Sequence, residues 1–115
     1  MLPAVLPARA ESASSLYRRG QDAEAREDYV AAYNYYEQAF RMKPKDVSYR
    51  TAMARTRFEA GAQLVHRGQL LRDHGRLEEA LAEFQKAATT DPSSTMAEQE
   101  VRRTQAMIKA ASGNK

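Results

Sequence analysis

The sequence predicts an all-α fold of five helices: two helix–turn–helix units joined through one long central helix, with a C-terminal capping helix. Three observations predict it. Alanine, glutamate, glutamine, arginine and leucine dominate and β-branched residues are few, a mixture that favours helix. Apolar residues recur at i, i+3, i+4 and i+7, the spacing of one helix face, in segment after segment. One pattern also occurs twice. Leu16, Gly20, Tyr29, Ala32, Tyr36, Ala39 and Pro44 return as Leu64, Gly68, Leu77, Ala80, Phe84, Ala87 and Pro92, every pair at a numbering offset of 48.

Helix one begins between Ser12 and Ser15 and runs to about Arg26, with Leu16, Gly20 and Ala23 at helical spacing. Glu27 and Asp28 form a short polar turn. Helix two covers residues 28–42, with Tyr29, Ala32, Tyr33, Tyr36, Ala39 and Phe40 on one face. Lys43 and Pro44 stop it, because proline disfavours α geometry in the residue before it. The central helix covers residues 46–74 and contains no proline. Asp46 caps its free N–H groups and Gly75 provides a left-handed exit. At ~1.5 Å per residue it is roughly 43 Å long, too long for one neighbour to cover. Val47, Ala54, Phe58, Gly61 and Val65 form one stripe along it; Met53, Ala60, Leu64 and Leu71 form a second. Two stripes imply contacts on two sides. Arg50, Arg55, Arg57 and Glu59 lie mostly between the stripes and read as solvated.

After the Gly75–Arg76 turn, helix four covers residues 77–89, with Leu77, Ala80, Leu81, Phe84, Ala87 and Ala88 inward. Asp91 and Pro92 end it. Ser94 caps helix five, Thr95 and Glu98 have capping-box spacing, and Ala97, Val101, Thr104, Ile108 and Ala111 line its apolar side. The folded domain is thus residues 12–111. Residues 1–11 are set outside it, as a disordered leader or the remnant of a secretory signal ending in small-x-small, and residues 112–115 as a frayed tail.

Within each copy the spacing has a packing reason. Glycine and the two alanines let helices approach, large residues fill between them, and proline redirects the chain. The pattern resembles the tetratricopeptide repeat, a helix–turn–helix unit with a period of about 34. The second copy matches best, at Leu64, Gly68, Leu71, Gly75, Leu77, Ala80, Phe84, Ala87 and Pro92. The first departs at Glu27, where glycine is usual, and at Ala23, where a large residue is usual. The longer period here amounts to an insertion of about fourteen positions, which extends the first helix of the second repeat. That length is close to four turns, so the extension is expected to keep the same face aligned. The whole pattern also looks like the N-terminal repeat segment of bacterial secretins, the outer-membrane channels of type II and III secretion and type IV pili.

Chemistry is sparse. There is no cysteine, which excludes disulfides, a thiolate nucleophile and cysteine-ligated metals. His66 and His74 stand too far apart on one helix to share a metal, and no phosphate loop or nucleophile elbow is present. A net charge of +3 with interleaved signs, no basic stripe and no aromatic platform speaks against nucleic acid. No apolar run reaches the ~20 residues needed to cross a bilayer. The expectation is therefore no enzyme, no cofactor and no metal.

The resemblance implies a non-catalytic protein–protein interaction module that binds a protein or peptide along the first helix of each repeat. The residues at those positions are Tyr17, Gln21 and Glu24 in the first copy and Val65, Gln69, Arg72 and Asp73 in the second. Tyr17 and Gln21 stand where the chaperone-binding members carry lysine and asparagine, which points away from a C-terminal carboxylate ligand. Tyr35 is predicted to point away from the packed face of helix two and is a further candidate anchor. The secretin likeness implies a bacterial envelope or periplasmic setting in a secretion or pilus assembly; the cytoplasm is the alternative. The alternative function is a self-associating helical unit, a homodimer through the long helix with no dedicated peptide groove.

Overall fold

The computed structural model describes residues 11–113; the readings of residues 1–10 and of 114–115 lie outside them. Five helices follow in order: α1 (Ala13–Ala25), α2 (Tyr29–Met42), α3 (Val47–Asp73), α4 (Leu77–Thr90) and α5 (Thr95–Gly113). α5 thus extends past Ala111, the expected end of the domain. Glu11 also belongs to the fold, since it accepts a hydrogen bond from Ser15 Oγ and pairs with Arg19 at 3.0 Å.

Four of the five helix starts carry a side-chain cap, and α4 follows Arg76 without one. Ser12 Oγ accepts from the Ser15 N–H, Asp28 from Ala31, Asp46 from Ser48 and Tyr49, and Ser94 Oγ from Ala97. The Thr95–Glu98 capping box does not form. Ser94 is the cap, so Ala97 takes the third helical position and no carboxylate stands there to reach back.

The two hairpins turn in the same way. Glu27 and Gly75 both hold a positive φ, 59° and 76°. The Asp28 N–H donates to the Ala23 carbonyl and the Arg76 N–H to the Leu71 carbonyl, both at 2.9 Å. Glu27 therefore performs in the first hairpin the left-handed exit that Gly75 performs in the second.

In each hairpin a glycine presses on an aromatic ring. A methyl group on Gly20 would clash with the Tyr36 ring, and one on Gly68 with the Phe84 ring. That close approach buries Ala23, Ala32, Tyr36, Ala80, Phe84 and Ala87 completely. The chain is elongated, 61 × 44 × 24 Å, because α3 carries both hairpins along its length. α3 is helical without interruption through residues 58–64.

The packing of α3 corrects the predicted stripes. Val47, Ala54 and Phe58 are exposed, and the first half instead buries Tyr49, Ala52 and Thr56. At the same offset of 48, these three fall on Ala97, Glu100 and Thr104, the buried residues of α5. The first half of α3 thus lies against α1 and α2 as α5 lies against α3 and α4. From Ala60 onward the helix changes role and buries Gly61, Leu64, Val65 and Gly68. The buried side therefore swings by about a third of a turn midway, and the face does not stay aligned as expected. Arg55, expected to be solvated, forms an ion pair with Glu24.

Gln63 fastens the first hairpin to the middle of α3. Its Oε1 accepts from the N–H groups of Tyr29 at 2.9 Å and Val30 at 3.2 Å, and its Nε2 donates to the Glu27 carbonyl at 2.7 Å. These N–H groups are among the unpaired donors of the first turn of α2.

Candidate protein-interaction surface

The candidate binding residues sit mainly on α1 and on the second half of α3, and most of them meet a helix of the same chain. Tyr17 is half-buried between Tyr36 and Tyr49, with ring centroids 5.4 and 5.1 Å away. Glu24 accepts from the Tyr36 hydroxyl at 2.7 Å and from both Nε and Nη2 of Arg55. The Arg55 hydrogen bonds hold its carboxyl below the usual carboxylate range against the opposing effect of burial. Burial and the Glu24 carboxylate together push the Tyr36 phenol above its usual range. Tyr35, expected to point outward, is half-buried against the cores shared by α1, α2 and the start of α3. Gln21 is exposed on α1.

The second copy repeats this with the charges exchanged. Val65 is buried in the cluster that holds Ala97 of α5. Gln69 donates to Glu100 at 3.1 Å, and Arg72 pairs with the same carboxylate at 2.9 Å. The Arg72 and Glu100 side chains are only 11% and 7% exposed. Arg72 also lies 5.3 Å from the centroid of the Phe84 ring, as Arg55 lies 6.0 Å from that of Tyr36. Arg72 holds the Glu100 carboxyl below the usual range, Gln69 assists, and burial opposes. Among the described residues Arg72 Nη1 and Thr104 Oγ1 are buried without a partner. Asp73 is exposed at the last turn of α3.

Tyr17, Glu24, Val65, Gln69 and Arg72 are therefore engaged by α3 and α5. Gln21 and Asp73 are the candidates left open. The partners Tyr49, Arg55 and Glu100 escape a reading of the sequence by single helices. For Tyr49 the signal is the constant offset itself, which continues past Pro44 and Pro92 into Tyr49–Ala97 and Thr56–Thr104, whereas Arg55 and Glu100 fall on Arg103 and Ala52 and carry no such signal.

A cleft of about 640 Å³ opens between α2 and α4 over Leu64 and Arg67. Its rim charges pair within each helix, Arg41 with Glu37 at 3.2 Å and Lys86 with Glu83 at 3.1 Å. Among the described residues no three acidic or histidine side chains converge as a metal site requires. His66 is exposed, and His74 Nδ1 lies 2.7 Å from the Leu70 carbonyl at the end of α3. No described helix is long and apolar enough to cross a membrane.

Residues 64–94 match the sequence model of the tetratricopeptide repeat, over the hairpin of α3 and α4. Residues 64–94 are thus similar to a tetratricopeptide repeat. The match covers the second copy; the first is tied to it by the constant offset and the shared turn geometry. Among solved structures, the Arabidopsis OM64 TPR domain is similar, at 18% identity, over 80% of this chain and 93% of that chain, with a TM-score of 0.38. No curated protein matches the chain.

Proposed function

We propose that the chain is a non-catalytic module for binding other proteins, built on tetratricopeptide-type hairpins. The observation that carries this reading is the repeat at residues 64–94. The long α3 supports a display role, since it holds two hairpins along one rod and leaves apolar side chains of its first half in solvent. Panning a displayed-peptide library on the folded chain tests it. Enrichment of a peptide consensus that the heat-unfolded chain does not retain is the expected result; enrichment of none overturns the reading.

The finer setting, an envelope secretion or pilus assembly, rests on the secretin-like sequence pattern alone. A pull-down from bacterial envelope extract that recovers secretion or pilus components supports it, and recovery of none removes it. A second reading, a homodimer through α3, draws on the exposed Val47 and Phe58. Sedimentation at high concentration decides it, and a persistent monomer ends it.

A further inference from the structure

One line of α3 has no cover among the described residues. Val47, Thr51, Ala54 and Phe58 follow one another along a single side of the helix, and all four are exposed, Phe58 at 69% and Val47 at 61%. A phenylalanine so open, in line with further apolar residues, marks a contact surface.

The same side of the same helix is covered further along. Val65, Gln69 and Arg72 follow Val47, Thr51 and Ala54 at a shared offset of 18 (65 − 47, 69 − 51, 72 − 54), which is five turns at the ~3.6 period of an α-helix. α5 lies against that later trio, with Ala97 in the Val65 cluster and Glu100 bonded to Gln69 and Arg72. The chain thus holds a sample of what seals this side of α3: a second helix laid along it, small apolar residues on valine and a carboxylate on arginine.

Charge chooses between occupants. Arg50 and Arg57 stand to one side of the uncovered line and Arg55 to the other, against the single carboxylate Glu59. Arg55 is satisfied by Glu24, while Arg50 and Arg57 have no ion-pair partner among the described residues. A second copy laid on this face would bring arginines against arginines. A helix bordered by carboxylates would neutralise them.

We propose that Val47, Thr51, Ala54 and Phe58 dock an amphipathic helix of a partner protein, its apolar stripe bordered by aspartate or glutamate. This deepens the interaction-module reading and rests on it. The probe is a fluorescein-labelled helical peptide of about 18 residues, leucines at i, i+4, i+7 and i+11 with glutamates beside them, and its twin with lysines for the glutamates. Each is titrated with the full chain by fluorescence anisotropy. The acidic peptide is expected to bind about tenfold tighter than the basic one, more weakly at high salt. Phe58→Ser is expected to weaken it about tenfold, and Arg50→Glu with Arg57→Glu to reverse the preference. Arg50 and Phe58 are exposed and Arg57 is half-buried, and circular dichroism checks that the variants keep their helices. Equal binding of the two peptides, indifference to Phe58→Ser, or a dimer that Phe58→Ser dissociates overturns the proposal. If library-selected peptides bind the chain and Phe58→Ser leaves their affinity unchanged, this face falls while the interaction reading stands.

Discussion

Glu27 occupies a backbone conformation that its counterpart Gly75 takes without steric penalty, and the two turns are otherwise bonded alike. A side chain at positive φ costs energy that glycine avoids, offset in part by glycine's greater freedom when unfolded. Glu27→Gly is expected to raise stability by about 0.5–1 kcal/mol, read as a higher urea midpoint with an unchanged slope. Gly68 presents the opposite case. A methyl there meets the Phe84 ring, and Gly68→Ala is expected to lower stability by about 1–3 kcal/mol, seen as an earlier thermal transition. The Arg72–Glu100 pair is a third residue-scale feature. Both side chains are almost wholly buried, and Glu100→Gln removes the countercharge of a guanidinium whose Nη1 is already unpartnered. Its cost is expected near ~3–5 kcal/mol by denaturant melting, above that of an exposed pair such as Arg76–Glu79.

At the level of elements, the helix starts and stops were legible in the sequence because they are local. Ser12, Asp28, Asp46 and Ser94 reach only the next turn, and prolines 44 and 92 act on their immediate neighbours. The buried side of α3 was not legible. Val47, Ala54 and Phe58 form as regular a stripe as Tyr49, Ala52 and Thr56, and periodicity alone cannot say which of two faces meets a neighbour. The repeat could have decided it, since Tyr49 and Thr56 fall on Ala97 and Thr104 of α5 at the same offset. Gln63 was equally hidden, because its three bonds run to residues 27, 29 and 30, far back in the chain. Gln63→Ala is expected to cost about 1–3 kcal/mol, since part-buried backbone donors of α2 lose their acceptor. Amide exchange localises the effect: Tyr29 and Val30 should lose protection before the second hairpin does.

Across the whole molecule, α3 couples the hairpins, and two ion pairs on it set the response to pH. Glu24 and Glu100 both have carboxyls held below the ordinary value of 4.5, chiefly by hydrogen bonds from Arg55 and Arg72. Their folded state binds protons less readily than the unfolded one. The stability they contribute is therefore complete above pH ~4.5 and is lost as the pH falls through the lowered folded values. Tyr36 has the reverse sign. Its phenol is held above the ordinary value of 10.0, so its contribution is complete below pH ~10 and lost as the pH rises beyond that. Urea midpoints measured across pH should show a plateau between these limits and fall on both sides. Glu100→Gln should shrink the acidic fall, leaving the part due to Glu24.

By itself the sequence determined the five helices, the caps at Asp46 and Ser94, the turns, the duplicated hairpin and the poverty of reactive groups, because each follows from residues close in the chain or from a constant offset. Only the tertiary structure decided which side of α3 is buried, that α3 and α5 occupy most of the surface where the resemblance placed a ligand, and that the Val47 and Phe58 side of the rod stays open. Those outcomes depend on how the added turns of α3 slide one hairpin past the other along a shared helix, a displacement set by packing between segments far apart in sequence.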